Sequence, residues 1–474
     1  MGDKYALDND NSSEDVVRIL DLYETREKIY TRRLEGFYRS LKRWTWIPML
    51  SAYLLLPWVN IDGHQAILFD LPARKFYVFW LTFWPQDFML LAWALIISAF
   101  LLFTVTVMVG RVWCGFSCPQ TVWTMIFMVA EHWWEGDRNQ RIKLDQAPWS
   151  TDKIIKKGGK FFTWFLVAFI TGYTFVGYFN PIRQMTLDFF VFASHPAINF
   201  WTFFFTAMTF MNAGFLREQV CLYMCPYARF QSVMFDKDTL IVSYNAERGE
   251  PRGARKKGAD AASKGLGDCV DCSLCVQVCP TGIDIRDGLQ YECISCGLCI
   301  DACDAVMKKM NYAPRLISFT TEHSLDHGKT RIFRSRFIGY TLVLCVMTAL
   351  FLYTIGTRTP LRLDVIRDRA MLFRENSEGL IENIYTLRIL NMDDDTHKFV
   401  ITAEGEYNFN FMGASTVEVP GGEVHTELVR LELDPGYLKQ PNTDVFFNIV
   451  AEDDAKLRAG TESRFIGPTV RRAY

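Results

Sequence analysis

The chain has 474 residues, half of them hydrophobic and 15% aromatic, yet 22% are charged and the formal net charge is only −2. A composition so divided excludes both an ordinary single-domain soluble enzyme and a chain buried wholly in lipid. All Trp lie at or before Trp201 and all Cys at or before Cys345, while from Pro360 onward 20 Asp and Glu face 13 Lys and Arg, so the last 115 residues form a separate acidic part.

In chain order, residues 1–43 are polar, carry no cleavable signal pattern and read as a cytoplasmic segment. Five stretches then lack Asp, Glu, Lys and Arg over lengths close to the roughly 20 residues that cross a bilayer core. They are 44–61, 88–110, 161–182, 196–216 and 337–357. Soluble helices of that length carry charge on one face, so these read as transmembrane spans. Four lie in a domain over 44–248 and the fifth in 336–357. A sixth stretch, 112–130, is set aside as a helix along the interface, because Arg111 follows the second span with no turn and Cys118-Pro119 interrupts the segment. Lys and Arg gather before the first span and after the second, which predicts a cytoplasmic N-terminus and an acidic tail on the outside.

Two spans are followed by Cys114-Gly-Phe-Ser-Cys118-Pro119 and two more by Cys221-Leu-Tyr-Met-Cys225-Pro226. This is an internal parallel repeat, and a pseudo-two-fold axis along the membrane normal would bring the two cysteine pairs together. Pro119 and Pro226 suit a first helical turn, which places Cys118 and Cys225 at helix N-termini, where the dipole favours a thiolate. Such thiolates are nucleophiles or soft-metal ligands. Cu(I) is favoured, although zinc or an iron-sulfur cluster would also accept Cys114, Cys118, Cys221 and Cys225, and plain packing is the alternative. Met224, inside the second pair, reads as packing rather than as a thioether ligand.

A basic, Gly- and Ala-rich linker is predicted over 249–267. In the module 268–335, Cys269, Cys272, Cys275 and Cys279-Pro280 form C-x2-C-x2-C-x3-C-P, and Cys293, Cys296, Cys299 and Cys303 repeat the spacing 24 residues on. This is the spacing of paired 4Fe-4S clusters, in which three thiolates of one loop are completed by the fourth of the other copy. Cys303 should thus join Cys269, Cys272 and Cys275, and Cys279 should join Cys293, Cys296 and Cys299. Zinc fits poorly, because its sites usually take two separated cysteine pairs. Cys345, alone in the fifth span, reads as packing. His64 and His195 fall in outside loops, where a metal or haem role competes with ordinary loop hydrogen bonding. No nucleotide- or flavin-binding motif is present, so electrons must come from a partner or from quinol.

From Pro360 the period becomes two. Tyr385, Leu387 and Ile389 alternate with Thr386 and Arg388, and Val429, Leu431 and Leu433 with Arg430 and Glu432. Asp393-Asp394-Asp395, Pro420-Gly421-Gly422 and Asp434-Pro435-Gly436 mark turns. About seven strands predict an immunoglobulin-like β-sandwich over 358–474. The fold class is therefore multidomain: an α-helical transmembrane domain with an internal repeat, a two-cluster ferredoxin-like module and a C-terminal sandwich.

The combination of five spans, the repeated C-x3-C-P, the double ferredoxin motif before the last span and the outer sandwich resembles the FixG/CcoG/RdxA family of cytochrome oxidase accessory proteins, membrane polyferredoxins. The resemblance implies a multi-pass bacterial inner-membrane protein with a cytoplasmic ferredoxin module and a periplasmic sandwich. It implies cupric reduction for a cbb-type oxidase, with copper as substrate or bound ion. Its partners would be copper-delivery and oxidase-assembly proteins and a separate electron donor, with no nucleic acid. The alternatives are a quinol-oxidising ferredoxin relay and a non-enzymatic assembly scaffold or metal transporter with redox-sensing clusters.

Overall fold

The computed structural model describes residues 28–61, 63–257, 265–326, 328–368, 371–393 and 395–468. Residues 1–27 of the expected cytoplasmic segment, 258–264 of the expected linker and Asp394 of an expected turn lie outside the described residues. The chain forms two compact units. One gathers residues up to Leu41, Met125–Phe161 and Val242–Phe319; the other gathers Lys42–Thr124, Phe162–Ile241 and the chain from Thr320 onward.

The helices include α1 (Phe37–Leu55), α2 (Phe88–Val109), α3 (Val112–Phe116), α4 (Pro119–Glu135), α5 (Arg138–Gln146), α6 (Thr151–Gly177), α7 (Pro196–Phe210), α8 (Pro226–Met234), α9 (Leu298–Met310) and α10 (Ser335–Gly356), with a further helix at Ile182–Phe190 between α6 and α7. Among the described residues four helical stretches are long and apolar enough to cross a membrane: Phe88–Val109, Val112–Glu135, Thr151–Gly177 and Ser335–Gly356. The expected count of five spans is thus approximate. Three of the five coincide with these stretches. The expected span 44–61 overlaps α1, whose 19 residues start earlier, include Arg39, Lys42 and Arg43 and give way to a 3-10 turn at Leu56–Trp58. The expected span 196–216 is divided between the 15-residue α7 and a wider helical turn at Met211–Leu216. The stretch set aside at 112–130 qualifies by length and composition, and it is broken at Ser117-Cys118, where the proline was expected to interrupt it. Helix α10 has no buried residue, and Leu342 and Leu352 are more than half exposed, the surface that lipid accepts and water does not. It lies against α2, with the Tyr340 ring 6.4 Å from those of Phe100 and Phe103.

The tail is a sandwich of two antiparallel sheets. Its strands are β1 (Leu361–Arg367), β2 (Arg374–Glu375), β3 (Ile381–Asn391), β4 (His397–Gly405), β5 (Asn410–Met412), β6 (Thr416–Val419), β7 (Val424–Leu433), β8 (Asn442–Ala451) and β9 (Arg458–Ile466). One sheet runs β5-β7-β3-β1 with β2 on β3, and the other β6-β4-β8-β9. The predicted alternation holds for Tyr385, Leu387, Ile389, Val429 and Leu431, which are fully buried, and for Arg388 and Arg430, which are exposed, but Glu432, expected to face outward, is buried. The register sets Tyr385 opposite Val429, so each inward row meets another across the strand pair.

At the start of β4, His397 donates from Nδ1 to Asp453 at 2.6 Å and meets Asp393 at 3.3 Å through Nε2. Burial works against the charged ring, but the two carboxylates outweigh it and raise the His397 pKa. A raised histidine pKa contributes stability that is complete below the unfolded value of about 6.5 and is lost as pH rises through the folded value. Protease resistance of the sandwich in the full chain should therefore fall on going from about pH 6 to about pH 8. His397→Gln should flatten that profile, and an unchanged profile in the variant would exclude this clamp as its source.

Candidate functional site

The ferredoxin loops lie within the first unit, framed by the paired strands Ile241–Tyr244 and Ile317–Thr320. Both copies bend by the same device. Asp271 and Ser273 in the first, and Ser295 and Gly297 at the matching positions of the second, have φ between 50° and 74°. Residues other than glycine resist this left-handed region, so its repetition at three such positions marks a conformation that the tertiary structure imposes. Alternate left-handed residues curl the backbone and turn the three cysteines of each loop inward.

The fourth cysteine crosses over. Cys303, on α9, lies within electrostatic reach of Cys269, Cys272 and Cys275. Cys279 neighbours Cys296, and Cys299 neighbours Cys279, Cys293 and Cys296. A cavity opens among Cys279, Cys293, Cys296 and Cys299, with Cys275 at its edge. Its wall is otherwise almost wholly apolar, including Val242, Ile283, Ile285 and Ile294. Four inward thiols around a largely apolar cavity fit a 4Fe-4S cube, which replaces hydrogen-bond partners with metal. Burial pushes the Cys275 thiol up to about 11 and Cys303 to about 12, and holds Cys299 well above its ordinary value. Loading iron must displace those protons, so cluster assembly is proton-linked.

Two residues that sequence reasoning missed touch these sulfurs. Tyr244 pairs with the Cys269 sulfur and donates to Glu250 at 3.1 Å, and the Thr281 hydroxyl lies 3.3 Å from the Cys279 sulfur. Hydrogen bonds to cluster sulfurs tune reduction potential. Thr281 sits two residues past its cysteine and directly after the motif, where adjacency could have pointed to it, whereas Tyr244 comes from a strand with no motif.

The expected linker is not free where it is described. Gly253 donates to the Cys269 carbonyl, Gly267 to Pro251, and Arg255 to Gly267 and Tyr312. The N-terminal segment also packs within this unit, through Arg32 to Gln277 and through the backbone N–H groups of Tyr38 and Arg39 to Asp301.

The second group of cysteines lies within the other unit. Cys118 and Cys225 stand immediately before α4 and α8, each with proline as the first helical residue, and the Cys118 sulfur accepts from the backbone of Gln120 and Thr121. The repeat extends to the backbone, since Cys118 N donates to Trp113 O at 2.9 Å and Cys225 N to Val220 O at 2.8 Å, the same five-residue turn. Such π-type turns concentrate at functional sites. Each of Cys114, Cys118, Cys221 and Cys225 lies within electrostatic reach of the other three, with the buried Arg111 beside Cys114 and Cys221.

Gln231, on α8 and fully buried, accepts from Cys114 at 3.2 Å and donates to Thr106 at 3.3 Å. Gln120 joins the copies by donating to Asn212 and Arg217 carbonyls. Neither had a local signal, because each acts on a partner about a hundred residues away. Among the described residues no three His, Cys, Asp or Glu side chains are drawn together as a cage for a single ion. The four thiols are gathered without closing on one ion.

The histidines weighed for metal or haem have ordinary partners. His64 stacks on Tyr77 at 4.3 Å and bonds Gln65, and His195 caps α7 by accepting from Ala197.

Cysteine loops of this spacing and geometry, joined to helices apolar enough to cross a bilayer, define a membrane iron-sulfur protein of electron transfer. Family comparison agrees, matching a 4Fe-4S dicluster domain over 216–322, a 4Fe-4S binding domain over 91–127 and the IG-like fold at the C-terminus of FixG over 351–468. The chain is 40% identical over 437 residues to nitrogen fixation protein FixG of Rhizobium meliloti, covering 84% of this chain and 82% of that one. It is 40% identical to RdxB of Cereibacter sphaeroides (86% and 89% covered) and 37% identical to RdxA of the same organism (92% and 95%). The chain belongs to the FixG/Rdx family.

Proposed function

We propose that this chain is a bacterial inner-membrane reductase that passes single electrons to copper, converting Cu(II) to Cu(I) for assembly of a cbb-type cytochrome oxidase. When bound at Cys269, Cys272, Cys275 and Cys303 and at Cys279, Cys293, Cys296 and Cys299, two 4Fe-4S clusters supply one-electron storage. The observation that carries the reading is the gathering of Cys114, Cys118, Cys221 and Cys225 beside Arg111. Soft thiolates favour Cu(I) over Cu(II) and so raise the driving force for reduction. Gln231 orients Cys114 by accepting the thiol hydrogen bond.

Replacing both Cys114 and Cys221 with serine should lower Cu(II) reduction by dithionite-reduced protein at least tenfold, with iron held at about eight atoms per chain. Reduction at the wild-type rate in that variant would remove copper from this site. The reading puts the ferredoxin module in the cytoplasm and the sandwich in the periplasm, supported by the positive charge around the even-numbered loops. A reporter fused after Tyr474 should then be active only outside the cytoplasm, and cytoplasmic activity would reverse the orientation.

A second reading has its own support. The 4Fe-4S binding domain matched over 91–127 includes Cys114 and Cys118, and the thiols do not close on a single ion. A third cluster at the four cysteines would bring wild-type iron to about twelve atoms, falling to about eight in the serine variant.

A further inference from the structure

Within the first unit a second cavity adjoins the ferredoxin loops and shares no residue with the cluster cavity. Its wall includes Pro280 and Leu298, the residues directly after Cys279 and Gly297, which line the cluster cavity. The two cavities thus lie on either side of the same two peptide segments. On the side away from those loops, α4 presents Met125, Met128 and His132. These positions, i, i+3 and i+7, fall on one face of a helix.

The His132 side chain is nine-tenths buried. Its Nδ1 lies 2.6 Å from the Met128 carbonyl, which can only accept, so Nδ1 carries the hydrogen. Nε2 is buried with no hydrogen-bond partner and faces the Asp137 carboxylate at 4.0 Å. An imidazole held this way at one nitrogen, with the other lone pair free, is the arrangement of a metal-binding histidine. Thr31 donates to the Met128 sulfur at 3.4 Å, which orients the thioether and leaves its second lone pair available.

The charged groups around His132 are Glu131, Asp137, Arg141, Arg32 and Arg39. Arg141 is paired with Glu131, Arg32 faces Asp137 at 3.9 Å and Arg39 faces Glu35 at 3.8 Å. Each cation is therefore opposed by a carboxylate, and the cavity does not repel a monovalent cation as its two arginines alone would.

We propose that this cavity is a Cu(I) site whose ligands are the thioethers of Met125 and Met128 and Nε2 of His132. It deepens the copper reading above by giving the ion a binding place directly behind the ferredoxin loops. Two thioethers with one imidazole select a soft monovalent ion over the harder divalent metals.

The test is anaerobic titration of full-length protein in detergent with Cu(I), in competition with a colorimetric Cu(I) chelator. The M125L/M128L variant conserves volume, so a packing role would leave it unaffected. It should bind one Cu(I) equivalent at least tenfold more weakly than wild type, as should H132Q, while C114S/C221S keeps that equivalent. X-ray absorption at copper in C114S/C221S should show both sulfur and nitrogen neighbours. Binding by M125L/M128L and H132Q at wild-type strength would overturn the proposal, and if C114S/C221S alone lost copper, the copper reading would stand without it. Wild type that fails to reduce Cu(II) but loses a Cu(I) equivalent in M125L/M128L would uphold this site and sink the reductase.

Discussion

Serine at Cys279 should remove the cluster held by Cys293, Cys296 and Cys299, and leave intact the one held by Cys269, Cys272 and Cys275. Iron should fall from about eight to about four atoms per chain. Cys279 follows the first loop in sequence, yet its neighbours are the second quartet, and Cys303 in turn sits with the first. Pairwise variants make the crossing measurable. C279S with C296S should strike one cluster twice and retain about four iron atoms, whereas C279S with C275S should strike both and leave almost none. Uncrossed ligation demands the reverse, so the two iron contents decide between them. Serine or the neighbouring Thr281 hydroxyl offers iron a harder and weaker ligand than the lost thiolate, so the loss should be large.

Arg141→Met should cost about 3–5 kcal/mol, the toll for stranding one member of a buried ion pair. Arg141 and Glu131 are each 1% exposed in their side chains and meet at 2.7 Å. Arg141 also donates to the Thr31 carbonyl, and so holds the N-terminal segment against α4 within the first unit. Removing Arg141 leaves the Glu131 carboxylate buried with its main countercharge gone. The double variant E131Q/R141M should recover a large part of the loss, because it strands no charge. By contrast, Lys28→Ala breaks a contact with Asp145 whose lysine is 46% exposed, and should change stability by no more than about 1 kcal/mol. Denaturant midpoints of the purified chain would rank the variants. R141M with a wild-type midpoint would show that the pair contributes nothing net.

Much of the fold was legible because its signals are local. Tyr385, Leu387 and Ile389 point inward because side chains alternate along a strand, and the period of two is written directly in the residues. The cysteine quartets were equally plain, since three thiolates must come from one tight loop and the spacing records that loop. Pro119 and Pro226 marked helix starts because a first turn does not need their missing N–H. The span count was less secure. Length and apolarity are properties of a segment, but whether 112–130 is one crossing or two helices broken at Cys118 depends on what surrounds it.

Only the tertiary structure decided which distant side chains meet. Gln231 reaches Cys114 across more than a hundred residues, and Arg141 finds Glu131 and Thr31 from an adjoining helix. Met125, Met128 and His132 carry no motif in the sequence, and became a candidate site only when a cavity and an Nε2 without a hydrogen bond appeared beside them. Periodicity and spacing determine what each segment can be, because they act through bonds within a few residues. Partnership between segments is set by how the whole chain buries its charge and apolar surface, and no short window of sequence contains that.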